Sequence, residues 1–108
     1  MEKNLGELEQ LVLLALVRLG DDAYGVTVHQ EIVDRARRNA SFATIYTTLA
    51  RLEGKGLVDS FMGEPTAERG GRGKKHFVMT ASGKLALQKS LRALRTMARG
   101  LDARWGTP

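Results

Sequence analysis

The sequence contains no cysteine. Disulfides, thiolate zinc sites and thiol nucleophiles are therefore excluded, and the redox compartment stays open. Histidine is scarce as well: His29 and His76 are the only imidazoles. A metal site would have to join those two rings to distant carboxylates without any metal-ligand spacing. Ser41, Ser60, Ser82 and Ser90 stand in no nucleophile motif. The paired acids Glu7 with Glu9 and Asp21 with Asp22 read more simply as helix-surface and capping residues. These shortages argue against an enzyme, a cofactor and a metal. Long hydrophobic runs are missing too: the longest, "LVLLALV", falls far short of the roughly 20 residues that a membrane span needs. The opening "MEKNLGELEQ" is acidic where a signal peptide would be basic. The expectation is a cytoplasmic protein with no membrane partner.

What is present is one domain's worth of chain with a surplus of positive charge. The 108 residues are 43% hydrophobic, enough for a single core. Seventeen Lys and Arg stand against twelve Asp and Glu, a formal charge of +5. That balance suits a polyanionic partner without requiring one.

Apolar residues recur at helical spacing from the start. Leu5, Leu8, Leu11, Val12, Ala15, Leu16 and Leu19 form a first stripe that Gly20 ends, and Leu13, Leu14 and Val17 make the other flank apolar too. Asp21 and Asp22 are placed to cap a second helix. Its buried side is Val28, Ile32 and Ala36, with Arg35, Arg37 and Arg38 at its C-terminal end, where cations are favoured. A third helix begins after Ser41 and ends near "GKG" at 54–56, with Ile45, Leu49 and Leu52 as its core stripe. Two short apolar stretches, "GLVDSFM" and "HFVM", read as strands. A last helix, capped by Thr80 or Ser82, is expected to run to about Arg104, roughly 35 Å. Along it Leu87, Leu91, Leu94, Ala98, Leu101 and Trp105 make a heptad seam, too long an apolar stripe for a lone helix, which predicts a homodimer.

The order helix, helix, helix, two-stranded wing, helix is that of a mainly α winged helix-turn-helix domain. Residues 1–80 would form the DNA-binding domain, and 81–108 a dimerisation helix and short tail. At about 100° per residue the third helix presents Ala43, Thr44, Tyr46, Thr47, Ala50 and Arg51 opposite its core stripe. Small residues there allow close approach, and Thr and Arg reach base edges or phosphates. A solvated helix face is the alternative, although such a face usually carries more charge.

The connector "GEPTAERGGRGKKHFVMT" between the strands holds Arg69, Arg72, Lys74 and Lys75 among glycines. It is not a Walker loop: aligned on Gly73 and Lys74, the first glycine would be Glu68 and the hydroxyl residue Lys75. A DNA-touching wing needs glycines to turn and cations to neutralise phosphates, and both are present. His76 then sits on the wing beside the DNA, whereas His29 reads as a helix-surface residue. A solvated loop, its charge half offset by Glu64 and Glu68, is the alternative for the tip.

Four segments in order also resemble the PadR family of transcriptional regulators, over roughly residues 5–90. "LGELEQLVLLAL" is similar to that family's first helix, and "DDAYGVTVHQEI" to its Tyr-Gly-containing second helix. "IYTTLARLEGKGLV" resembles its recognition segment, and "GRGKKHFVMTASG" its wing strand, which typically ends Lys-Tyr-Tyr-x-Leu-Thr-x-x-Gly. The resemblance implies a dimeric winged-helix regulator, usually a repressor, paired through its C-terminal helix. It also implies DNA contacts at Tyr24, Tyr46 and Lys75. Here His76 and Phe77 replace the two tyrosines, and Thr47 replaces a frequent proline. Some proteins of this kind hold flat apolar compounds between their terminal and first helices. That implies a small apolar or aromatic effector lined by Leu8, Val12, Leu94, Met97, Leu101 and Trp105. Three functions follow as expectations: a dimeric repressor of an inverted-repeat operator in double-stranded DNA, a winged-helix module that binds protein, or a sequence-neutral basic DNA-coating protein.

Overall fold

A computed structural model of the chain describes residues 4–63 and 73–105. Helix α1 spans Glu7–Leu19 and a single 3₁₀ turn Gly20–Asp22 follows. Next come α2 (Gly25–Asp34), α3 (Phe42–Gly54), strands β1 (Val58–Met62) and β2 (Lys75–Met79), α4 (Ala81–Ala98) and the single-turn α5 (Asp102–Trp105). The strands pair antiparallel, with Val58 opposite Met79 and Met62 opposite Lys75. This is the winged-helix order that the apolar periodicity predicts.

The core is one cluster built around α1. Val12, Leu13 and Leu16 of α1 meet Val28 and Ile32 of α2, Ile45, Leu49 and Leu52 of α3, Val58 and Phe77 of the strands, and Leu87 of α4. The apolar second flank of α1 is explained in part: Leu13 is fully buried, while Val17 stays exposed. Glu9 lies among these apolar residues at 8% exposure. Its carboxylate accepts from the Gly6 amide at 3.0 Å and from Lys55 Nζ at 2.7 Å, which ties the start of α1 to the end of α3. Burial pushes its pKa up, but the Lys55 and Gly6 hydrogen bonds and the nearby Lys55 and Arg51 charges outweigh that. The net result lies below the ordinary carboxylate value.

Three expectations are corrected. Asp21 and Asp22 do not cap α2: they form the 3₁₀ turn, and the Tyr24 amide is satisfied by Thr27 Oγ1 at 3.0 Å. Ala36 is exposed rather than buried, because α2 ends at Asp34 and Arg37 turns the chain with φ 56°. The C-terminal helix is not continuous to Arg104. Arg99 is extended and Gly100 takes φ 80°, a left-handed conformation that glycine adopts without a steric penalty, so α4 stops at Ala98 after about 27 Å.

Candidate nucleic-acid interface

Helix α3 is capped as its sequence suggests, with Ser41 Oγ accepting from the Thr44 amide at 3.1 Å. Because Ile45, Leu49 and Leu52 are fully buried, the opposite face is turned outward. Ala43, Thr44, Tyr46, Thr47, Ala50 and Arg51 are all exposed and none of them is acidic, while Glu53 stands half-buried at the edge of this face next to Tyr46 and Ala50. Thr48, between the two faces, is buried and donates to the Thr44 carbonyl at 2.8 Å.

The pose of α3 is set by aromatic packing that the sequence did not reveal. A Cβ on Gly25 would stand 3.0 Å from Phe42 Cζ and 3.5 Å from Tyr46 Cδ2, so the first turn of α2 packs tightly on α3 and a side chain there would have to push the Phe42 ring aside. Tyr46 leans on Phe42 and meets Phe77 edge-on, each with ring centroids 6.0 Å apart. His29, expected on the surface, is half-buried. Its Nε2 lies 2.8 Å from the Ala40 carbonyl oxygen and its ring meets Phe42 edge-on, which pins the turn ahead of α3. A lone histidine on a helix gives no sequence signal for such a contact.

The wing is held against α3 from two sides. Phe77 donates its amide to the Ala23 carbonyl at 2.9 Å, and Tyr24 bridges to His76, so the segment before α2 adds a third edge to the hairpin. On that edge Lys74 Nζ sits 3.9 Å from the centre of the Tyr24 ring. His76 meets Tyr24 edge-on and stacks on Phe61 at 5.3 Å. On the side facing α3, Glu53 accepts from Ser60 Oγ at 2.6 Å and lies 3.9 Å from Lys75 Nζ. Lys75 also lies 6.0 Å from the Tyr46 ring centre.

The structure therefore brings Tyr46 and Lys75 together beside the outer face of α3, and gathers Tyr24, Lys74 and His76 at the wing edge. His76 is half-buried and engaged by the rings of Tyr24 and Phe61. Arg72, the remaining wing cation in the predicted set, lies outside the described residues. A groove of about 510 Å³ runs between the start of α1 and α3, lined among others by Leu8, Glu9, Thr44, Thr47 and Arg51.

The predicted dimer seam divides in two. Leu87 is corrected: at 5% exposure it belongs to the core of its own chain, because the first turns of α4 pack on α1. Leu91 is half-buried against the same core. Beyond it Leu94 (57%), Met97 and Trp105 are exposed, as is Ala98, while Leu101 is half-buried. Of the predicted effector residues, Val12 is fully buried and has no surface to offer. Leu8 opens onto the groove beside α3, whereas Met97 and Trp105 lie near the far end of the chain. Among the described residues, no group of three or more histidines and carboxylates is placed to hold a metal ion, and no helix is long and apolar enough to cross a membrane.

The family model described as the transcriptional regulator PadR-like family matches residues 13–89. Among solved structures, a PadR family transcription regulator from hypervirulent Clostridium difficile has 22% identity and a TM-score of 0.73, covering 94% of this chain and 100% of its own. A PadR-like transcriptional regulator from Bacillus cereus has 16% identity and a TM-score of 0.72, over 94% of this chain and 93% of that one. The Aeropyrum pernix ORC1 protein, solved in complex with DNA, shares the fold over 88% of this chain and 26% of its own, at 20% identity and a TM-score of 0.66. No curated protein matches the sequence.

Proposed function

Because the chain belongs to the PadR-like family of transcriptional regulators, we propose that it is a homodimeric repressor that binds an inverted-repeat operator in double-stranded DNA. The observation that carries this reading is the outer face of α3. It is exposed at Ala43, Thr44, Tyr46, Thr47, Ala50 and Arg51, small or hydroxylated at four of these, and flanked by Lys74 and Lys75 of the wing, with Glu53 at its edge lying 3.9 Å from Lys75 Nζ. Such a helix enters a major groove without a charge penalty, and such a wing lies along the adjacent phosphates. Thr47 and Arg51 read base edges; Lys74, Lys75 and Arg72 supply affinity; Tyr24 and Tyr46 hold the two cationic edges in place.

Residues 1–80 act as the DNA-binding domain in the cytoplasm. Segment 81–108 pairs two copies through Leu94, Ala98, Leu101 and Trp105, and the exposed apolar surface of Leu94 and Trp105 needs cover. A small apolar or aromatic effector would bind near Met97 and Trp105, where two such ends meet, and would act by favouring one spacing of the paired α3 helices. The protein acts by binding, without catalysis.

The test is a mobility-shift titration with a selected duplex and its scrambled counterpart at two salt concentrations. Arg51→Ala loses mainly discrimination, about 1 to 3 kcal/mol. Lys75→Ala weakens both duplexes alike and flattens the salt dependence. Equal binding of both duplexes by the wild type would instead favour a DNA-coating protein, and binding of neither a protein-binding module.

A further inference from the structure

Arg38 is a cation for which the DNA-binding reading has so far had no use. It lines the groove between α1 and α3 together with Ala43, Thr44, Thr47 and Arg51. Its backbone is fixed there: its amide donates to the Ile32 carbonyl at 3.3 Å, directly after Arg37 has turned the chain through a left-handed conformation. Its guanidinium is paired with Glu7, whose side chain is largely in water at 74% exposure, while that of Arg38 is 41% exposed. Two other cations near this end of the helix-turn-helix also have carboxylate partners. Lys55 is held by the buried Glu9, and Arg35 by Glu31 one turn away on α2.

An ion pair this exposed gains little from its own attraction. A phosphate offers the same guanidinium two oxygens in the planar geometry that suits it. Thr44, Thr47 and Arg51 of the outer face of α3 line the same groove, so a duplex docked there as proposed above would bring its backbone toward Arg38. The pair is therefore exchangeable, and the direction of exchange is set by whether DNA is present.

We propose that Arg38 is a further phosphate contact, held by Glu7 in the free protein and released from it when DNA docks on α3, so that Glu7 sets how tightly the protein holds DNA of any sequence. This rests on the DNA-binding reading above. Glu7 acts through Arg38, without touching DNA.

The test is a double-mutant cycle on the full chain, with affinity for a mixed-sequence duplex measured by fluorescence anisotropy at about 50 to 200 mM salt. Glu7 is exposed and Arg38 half-buried at the surface, outside the hydrophobic core, and an unchanged melting temperature verifies that the variants keep the fold. Arg38→Ala lowers affinity and reduces the salt slope by about one per protomer. Glu7→Gln raises affinity roughly two- to fivefold per protomer, since the pair no longer has to be broken. In the Arg38→Ala background the same Glu7→Gln change has no effect at physiological salt. A gain from Glu7→Gln that persists without Arg38, or an unchanged slope in Arg38→Ala, overturns the exchange while leaving the DNA-binding reading intact. A wild-type protein that binds no duplex at all overturns both.

Discussion

Replacing Gly83 with alanine puts two physical effects in direct opposition. Gly83 stands in the first turn of α4, where helix propensity alone favours alanine by about 1 kcal/mol. Sterics oppose it far more strongly. A Cβ at this position would stand 2.1 Å from the Leu57 carbonyl oxygen and 2.9 Å from Met79 Cγ. An unstrained carbon-to-oxygen contact needs roughly 3.3 Å, so the first turn of α4 must back away by about an ångström. That movement pulls on a local network. Leu57 accepts from the Thr80 amide at 3.0 Å, Thr80 Oγ1 donates to the Gly56 carbonyl at 2.8 Å, and Gly83 donates its amide to that same hydroxyl at 3.0 Å. Overpacking costs about 1 to 3 kcal/mol and each weakened hydrogen bond about 1. With two of these hydrogen bonds weakened and the propensity gain subtracted, a net loss of roughly 2 to 4 kcal/mol is expected. In a chain of this size that lowers the melting temperature by roughly 10 to 25 °C. Thermal unfolding followed by circular dichroism at fixed protein concentration measures it. Gly54→Ala is the control, since a Cβ there meets nothing within 4 Å. A Gly83→Ala protein that melts at or above the wild-type temperature would refute the argument.

Two further outcomes follow from the packing and the charges. If the chain pairs as proposed, Leu94→Glu combined with Leu101→Glu turns the proposed dimer into a folded monomer by sedimentation at micromolar concentration, whereas Leu87→Glu, with its side chain in the core, unfolds the domain at a cost of several kcal/mol; a still-dimeric Leu94/Leu101 variant would remove the C-terminal segment from the proposed interface. Glu9 has a depressed folded pKa, so its contribution is present above its unfolded value of about 4.5 and disappears as the pH falls through the folded value. Glu9→Gln should therefore cost about 1 to 3 kcal/mol at neutral pH by urea unfolding, and that deficit should shrink on acidification; a deficit independent of pH would deny the carboxylate its role.

Much of the fold was legible because its helices are amphipathic with unambiguous stripes. Ile45, Leu49 and Leu52 located both faces of α3, and Ser41 marked its start. The errors arose where local pattern competes with something nonlocal. A heptad seam states that one stripe is apolar without stating whose core it enters, and Leu87 entered its own. Gly100 was visible inside that seam, but periodicity carried across it, and the left-handed backbone there ended the helix. Asp21 and Asp22 looked like caps, yet a 3₁₀ turn absorbed them and the Thr27 hydroxyl took over. In the candidate site the face of α3 was readable for the same reason as its core. The supports of that face were not: His29 on Ala40, Gly25 under Phe42, and Glu53 between Ser60 and Lys75 are pairings between segments distant in sequence or on different elements. Gly25 and Gly83 did carry a signal, since each sits inside a helix, where glycine is unfavourable unless a neighbour leaves no room for a side chain.

The central claim is that two α3 faces related by a twofold axis read DNA sequence, and selection from a pool of randomised duplexes tests it most directly. Repeated binding and recovery by the wild-type protein should enrich an inverted repeat whose half-sites are spaced by about 10 bp or a multiple of it, one helical turn. Arg51→Ala should blur the enriched bases while keeping the spacing. A recovered pool with no common sequence after selection, from a protein that nevertheless retains DNA, would contradict sequence reading by α3.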